Sequence, residues 1–581
     1  MGTVIRRAVA APAAVRRAGT AGPALAARAV PALAGLALGA LALGPGLRRG
    51  FLLSYDMVLV PRQPFTPSMA GLAGGPPRAV PSDAVVAVAS RVLPADLVQK
   101  LLLLSIFTLA CSGAAALLSR EPWFARLAAG VFYTWNPFVA ERLIIGQWAL
   151  LLGYAGLPWA LRAVTTGSMA SWRGAGRLGV ALLPAVVGGF AAMAVTALVV
   201  LPAAILARPP GVPDTAAAAT TSPGTAVRRP EERVRAGLAA LGVLTVGSLP
   251  WLIPSLAHAV YADQAGVAAF AGAADTPFGT LGSLVMLGGM WNAQAVPAGY
   301  GGWWSVLWLA LVLAAAAGYV AFGARRHRWP GLGVAAGAGL VIASLGVTAP
   351  GRDLLWSLDG AWPGFAVLRD GQQFIAPLAL AEALGAGLLV AWAARPRMSP
   401  ATRADRGIGA RADRAGLVIA VALLLAPVLL LPGLAWGAAG RLRPAWYPSS
   451  WLNAARLIDG SRPVGQVLLL PWTAYRRPAW NGGRAMLDPW PRLLSRPVIW
   501  NDGPQVGTVQ MQPDAPDARR LSAVITAPGP LTTVLAAAGV RFVIVDSAAG
   551  DPGIAGTGAA RLPGCAVVAT APGLVVYQVP S

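Results

Sequence analysis

At 581 residues, the chain is 56% hydrophobic and only 12% charged, with a mean hydropathy of +0.61. That balance excludes an ordinary soluble protein, which would need far more polar surface to cover its core. The formal charge of +23 does not mark a nucleic-acid binder: of the 46 basic residues only Lys100 is a lysine, and most of the arginines sit in short gaps between apolar blocks, where they orient helices in a bilayer.

The first 29 residues are Arg-rich and free of acids. No small-residue cleavage site follows, so they read as a cytoplasmic tail before an uncleaved span. Apolar blocks follow near residues 30–46, 98–118, 123–137, 146–163, 178–206, 235–256, 303–323, 332–348, 372–394 and 416–436, each close to the length that crosses a membrane core. Arginines in the gaps orient them. Arg120 and Arg126, Arg162, Arg173 and Arg177, Arg208 to Arg235, Arg325 to Arg328 and Arg395 to Arg414 all fall on one side only if residues 178–206, broken by Pro184 and Gly188-Gly189, form a hairpin of two short helices. The alternative is one long tilted helix. With the hairpin, the pattern predicts about eleven membrane segments and places the C-terminal segment outside the cell.

The first outer loop, residues 47–96, breaks the charge rule by holding Arg48, Arg49, Arg62, Arg78 and Arg91. Either the loop is long enough to obey the rule weakly or its arginines bind phosphate. Residues 438–581 change character. Short β-branched runs (VGQVLLLPW, RPVIW, VRFVIVD, GLVVYQVP) alternate with Pro/Gly/Asp turns, and LTTVLAAAG reads as a helix feeding a strand. The fold class is therefore an α-helical polytopic membrane protein, spanning residues 30–437, with a C-terminal exoplasmic α/β domain at 438–581. The last two strands form a hairpin through Gly573. Cys111 and Cys565 fall in different regions, and with only His258 and His327 available no Cys/His metal spacing exists.

Four constellations carry chemistry-bearing residues. Asp56 in Ser54-Tyr55-Asp56 stands just after the first span, where its carboxylate can take a proton from an attacking hydroxyl, hold a metal or cap a helix. In WNPFVAERLIIGQWALLLGYAGLPWAL, residues 135–161, Pro137 ends a helix and sets Glu141, Arg142 and Gln147 among tryptophans: a carboxylate beside a phosphate ligand, or a structural ion pair within an aromatic belt. In FAVLRDGQQFIAPLALAEALGAGLL, residues 365–389, Arg369 and Asp370 stand at the mouth of a span, with Glu382 about three turns deeper. The loop 257–302 has no Lys or Arg but presents Trp291 and Tyr300 and leads into Trp303 and Trp304, faces that suit a sugar ring or anchor the chain at the interface.

Together these pieces resemble the GT-C superfamily of polyprenol-dependent membrane glycosyltransferases. NPFVAERLIIGQWALLLGYAGLPW is similar to a stretch of YfhO-type membrane proteins and of actinobacterial arabinofuranosyltransferase-like proteins, with Asn-Pro, Arg-Leu, Gly-Gln and Tyr-Ala-x-Leu-Pro in that order. LRDGQQF and the ending LAAAGVRFVIVD…GLVVYQVP resemble further segments of the same proteins. The resemblance implies a plasma-membrane enzyme of cell-wall biogenesis that moves a sugar from a polyprenyl-phosphate donor to a cell-envelope glycan or lipid on the outer face. By position it places the catalytic carboxylate at Asp56; read with it, the four constellations put the donor phosphate at Arg62, Arg142 and Arg369 with Glu141 and Asp370 as supporting acids, and the acceptor at Trp291, Trp303 and Trp304. Asp56 has no Asp-x-Asp or Glu-x-Asp partner, so a divalent metal stays an open question. The rival reading is a non-enzymatic lipid or glycan transporter or an assembly scaffold. A transporter should show matched broken helices in its two halves, and the break at 184–189 has no counterpart.

Overall fold

The structure, a computed structural model, describes residues 21–169, 171–207, 229–257, 264–324, 329–395, 414–507, 509–546 and 560–580. The tail before residue 21, both histidines and the Arg-rich stretches 208–228, 325–328 and 396–413 lie outside the described residues.

Helices dominate residues 21–440. Among the described residues, five are long and apolar enough to cross a membrane: Ala29–Leu47, Ala95–Leu117, Pro230–Leu256, Ser305–Ala324 and Gly371–Ala393. Two bent pairs raise the number to seven if each is one span: Gly331–Leu345 with Ala349–Ala361 at 96°, and Ala415–Leu430 with Pro432–Gly440 at 52°. The expected eleven are not confirmed among the described residues, for a physical reason. The remaining blocks fold as Trp123–Thr134, Trp148–Thr165, Trp172–Gly188 and Phe190–Leu206, which are shorter or diluted by Trp, Tyr, Pro and Arg.

The block 178–206 divides at Gly189, whose φ of 78° breaks the helix. Gly153 lies against both Ala185 and Ala192, and Gly247 against both Val186 and Met193, so the two helices run back alongside each other. Elsewhere glycine sets the spacing. At Gly385 a Cβ would come within 1.9 Å of the Ala315 carbonyl oxygen, which lets Ala376–Ala393 cross Ser305–Gly318 at backbone distance.

A polar lock closes the bundle near Asn136. Its side chain caps the helix Pro137–Ile144 by accepting from the Val139 amide at 3.0 Å, while its Nδ2 donates to the carbonyls of Phe132 and Tyr133 and to the Tyr154 hydroxyl. Tyr133 and Tyr154 stack at 4.1 Å, and each donates its hydroxyl to the other's carbonyl, at 2.7 and 2.6 Å. The buried polar groups of this lock thus satisfy one another, as an apolar interior requires.

The C-terminal segment carries a five-stranded mixed sheet in the order Ala566–Ala571, Leu574–Gln578, Val540–Asp546, Gln466–Leu470, Val498–Ile499. Gln466–Leu470 runs parallel to both of its neighbours, and the last two strands in sequence form the hairpin turning at Gly573. Helix Thr532–Ala537 feeds strand Val540–Asp546, as the sequence pattern predicts.

This segment is stitched to the loop after the first span. Phe51–Leu52 pairs antiparallel with Pro444–Ala445. The Tyr447 hydroxyl donates to the Leu59 carbonyl at 3.0 Å, and the Asn481 amide to that of Leu53 at 3.2 Å. Arg492 forks onto Asp83 at 2.9 and 3.4 Å, and Arg78 pairs with Asp514.

Candidate active site

The Asp56 loop owes its shape to Gly146. At φ 82°, a Cβ there would stand 2.3 Å from both the Met57 nitrogen and the Ser54 oxygen, so only glycine lets the loop 54–57 lie on this turn. Three further bonds hold the loop on the bundle side and in itself: Ser54 Oγ donates to the Ile144 carbonyl at 2.6 Å, the Asp56 amide to that of Ile145 at 3.1 Å, and the Met57 amide to that of Ser54 at 2.9 Å. From the other side, the Tyr55 amide donates to Ala485 and its carbonyl accepts from Leu487, at 2.8 and 2.7 Å. Tyr55 itself is left-handed, with φ 42°. Such a conformation persists only where its surroundings over-determine it, and it is common beside functional groups.

The half-buried Asp56 carboxylate accepts the Tyr475 hydroxyl at 2.8 Å. Burial pushes the Asp56 carboxyl above its ordinary range, while the Tyr475 hydrogen bond, the charges of Arg78 and Arg492 and the Gln147 side chain pull it back. Burial and the neighbouring Asp56 push the Tyr475 phenol well above its usual value, so it stays protonated as a donor.

Asp56 faces a cavity of about 1430 Å³ between the helical bundle and the C-terminal segment. Trp291, Arg369, Asp370 and Gln373 line it from the bundle, and Tyr475, Arg477, Arg492 and Asp502 from the C-terminal segment. The sequence-predicted residues divide accordingly. Asp56, Arg369, Asp370 and Trp291 meet in this cavity. Trp291 stands edge-on to Phe270 at 4.7 Å, and the Arg369 guanidinium lies 5.8 Å from the Phe270 ring centre.

Arg142 and Glu141 stand behind the wall, fully buried. Arg142 forks onto Asp370 at 2.7 and 3.0 Å and also donates to Gln147 and Gln372. Gln372 in turn donates to Glu141 at 3.0 Å. Arg142 is therefore engaged by protein and braces the groove acid Asp370 rather than facing a ligand.

Arg62 is exposed and off the cavity, although its neighbour Gln63 lines it. Trp303 and Trp304 stack on each other at 3.6 Å, 68% and 45% exposed, away from the groove. They directly precede the candidate span Ser305–Ala324, a position where tryptophans commonly anchor a helix. Glu382, 1% exposed in its helix, has no hydrogen-bond partner for either carboxylate oxygen among the described residues.

Tyr475 and Arg477 were not foreseen from the sequence, yet a signal for them existed. They follow the strand Gln466–Leu470, which runs parallel to both neighbours, and ligands bind beyond the carboxyl ends of such strands. The misfit arginines of the loop 47–96 are also explained in part: Arg49 pairs with Asp96 at 2.8 Å, Arg78 with Asp514, and Arg91 lies 4.9 Å from the Phe65 ring centre. The donors around Asp56 do not make a metal site. Its direct partner is a phenol, and among the described residues no three His, Cys, Asp or Glu side chains come together to hold an ion.

Compared by sequence, the chain matches no protein-family model and no curated protein. Compared by structure, it is similar to the arabinofuranosyltransferase AftD from Mycobacteria, with a TM-score of 0.56 and 16% identity over 95% of this chain and 40% of that one. Two structures of an AftD variant match alike, with TM-scores of 0.55 and 0.56, identities of 17% and 15%, and coverage of 95% of this chain and 41% of theirs. The chain thus spans about two-fifths of the length of AftD, and at this identity the likeness is one of fold. Over 95% of its length, the chain is similar in fold to the arabinofuranosyltransferase AftD.

Proposed function

We propose that the protein is a membrane glycosyltransferase that moves a sugar from a polyprenyl-phosphate donor to a cell-envelope glycan or lipid on the outer face of the plasma membrane. One observation carries this reading: a carboxylate with a raised pKa, pinned in a strained loop, opens onto a cavity large enough for two substrates. Ligand pockets for one small molecule measure about 300–1,000 Å³, and this one is about 1430 Å³.

In the proposed reaction, an acceptor hydroxyl oxygen attacks the anomeric carbon as the bond from that carbon to the phosphate oxygen breaks. Asp56 takes the hydroxyl proton, the polyprenyl phosphate leaves with the bonding electrons, and the anomeric centre inverts. A raised pKa suits Asp56 to this work near neutral pH, because the proton it accepts is held more firmly. Arg369 and Arg477 line the same cavity and would neutralise the leaving phosphate, the electrostatic share of catalysis. Arg142 would act through Asp370, fixing its position. Trp291 would stack on the acceptor ring. The C-terminal segment, on the outer side in this reading, would supply Tyr475 to the base and one wall to the groove.

Purified protein and its Asp56→Asn variant, given radiolabelled polyprenyl-phosphate sugars and envelope acceptors, test the reading. Transfer by the parent alone, with both proteins folded, supports Asp56 as the base. Equal transfer by both removes Asp56 from that role. No transfer with any donor, alongside retained lipid binding, points to a transporter or scaffold.

A further inference from the structure

A second recess lies apart from the groove and shares none of its lining residues. It is an open cleft of about 630 Å³ between the end of the first span and the chain leaving the last one, with Pro45, Arg48, Trp436, Gly440, Leu442 and Arg443 among its walls. Its floor is unusual. Trp436, Gly437, Ala438 and Ala439 form a left-handed turn, with φ of 59, 72, 49 and 55° and ψ of 50, 43, 59 and 38°. Three of the four carry side chains, for which this conformation is unfavourable residue by residue. The turn is held by the Leu442 amide donating to the Gly437 carbonyl at 2.8 Å and by Gly44, where a Cβ would stand 2.8 Å from the Trp436 Cα. Strain kept in place this way points to a use.

The turn projects Trp436, 65% exposed, beside Pro45 and Arg48 at the end of the first candidate span. Two arginines flank it. Arg48 is exposed and its guanidinium has no partner among the described residues, unlike Arg49, Arg78 and Arg91 of the same loop. Arg443 is exposed, and among the described residues its guanidinium bonds only through Nε, to the Gly440 carbonyl at 3.0 Å. An exposed tryptophan beside two arginines with donors to spare, next to the end of the first candidate span, suits an anionic lipid: indoles favour the membrane interface and guanidinium forks fit phosphate oxygens.

We propose that this cleft binds the phosphate headgroup of an anionic phospholipid, with Arg48 and Arg443 as its cations and Trp436 as its anchor. The inference does not depend on the glycosyltransferase reading. Its test is native mass spectrometry of the full chain in neutral detergent, titrated with phosphatidylglycerol and, separately, phosphatidylcholine. Arg48→Gln and Arg443→Gln are each expected to weaken phosphatidylglycerol binding about fivefold, the usual worth of one arginine at an anionic surface. Arg456→Gln, an exposed arginine elsewhere, is expected to leave it unchanged, as is phosphatidylcholine binding in all variants. Thermal unfolding in neutral detergent confirms that each variant is folded. Undiminished phosphatidylglycerol binding in both cleft variants overturns the proposal. Equal weakening in all three variants overturns it too, since diffuse surface charge would then suffice. Displacement by inorganic phosphate as effective as by the lipid would make the ligand a free anion and overturn the lipid assignment.

Discussion

Burial and a phenol hydroxyl pull the protonation of Asp56 in opposite directions. The hydroxyl of Tyr475 stabilises the carboxylate form, so its removal lets burial act unopposed by this bond. A hydrogen bond to a charged group contributes about 1.5–3 kcal/mol. Tyr475→Phe keeps the ring, whose edge meets Tyr55 at 5.9 Å, and loses only the donor. The acidic limb of the transfer rate against pH should therefore move up. A purely structural tyrosine would lower the rate at every pH without moving the limb. Arg142 makes a second test. Its fork to Asp370 and its bonds to Gln147 and Gln372 leave four acceptor atoms on three side chains unmet when it is lost. Arg142→Met should cost about 3 kcal/mol, the lower end for a buried pair broken on one side because Asp370 is partly exposed. Arg142→Lys should not restore it, since one ammonium cannot span the fork. Thermal unfolding in detergent reads both.

At the level of elements, small residues set the helix crossings. Gly385 meets the Ala315 carbonyl so closely that a leucine would force the two helices apart. Gly385→Leu should destabilise the bundle by at least about 1–3 kcal/mol, the ordinary cost of overpacking, again read by thermal unfolding. A response no larger than that of a leucine at exposed Gly360 would show that the crossing adapts freely. This is also the scale at which the sequence is most legible. Apolar blocks announce helices because burial and lipid reward the same residues, and Gly188-Gly189 announces a break because glycine alone accepts that backbone cheaply. The helix Ala349–Ala361 was not legible: Arg352, Asp353 and Asp359 make it read as loop, and only its packing against Gly331–Leu345 shows it to be the second arm of a bent pair. The meeting of Asp56 with Tyr475 was illegible too, for a different reason. The two stand 419 residues apart, and no local periodicity encodes a contact of that range. Trp303 and Trp304 mislead in the opposite sense, because an aromatic pair looks the same in sequence whether it faces a sugar or a membrane interface.

For the molecule as a whole, the question is whether the C-terminal segment must swing away to admit substrates. Its attachments argue for a fixed wall. Strand pairing at Phe51–Leu52, two backbone bonds at Tyr55 and the Arg492–Asp83 fork tie it to the same loop that carries Asp56, so any opening would tear the base from its own support. The ion pairs alone would not prevent motion, since pairs with some solvent access contribute about 0–1 kcal/mol each. The backbone pairing would. Fixing the segment should then leave catalysis intact. Cysteines at positions 83 and 492, in a chain with Cys565→Ser and with Cys111 buried, can be joined by a short reducible bis-thiosulfonate linker. Transfer should persist in the linked protein at close to the rate of the same variant unlinked, because the cavity of about 1430 Å³ is present without any opening. Loss of transfer on linking, recovered when the linker is reduced, would show that the wall moves in each turnover, with Asp56 then competent only part of the time.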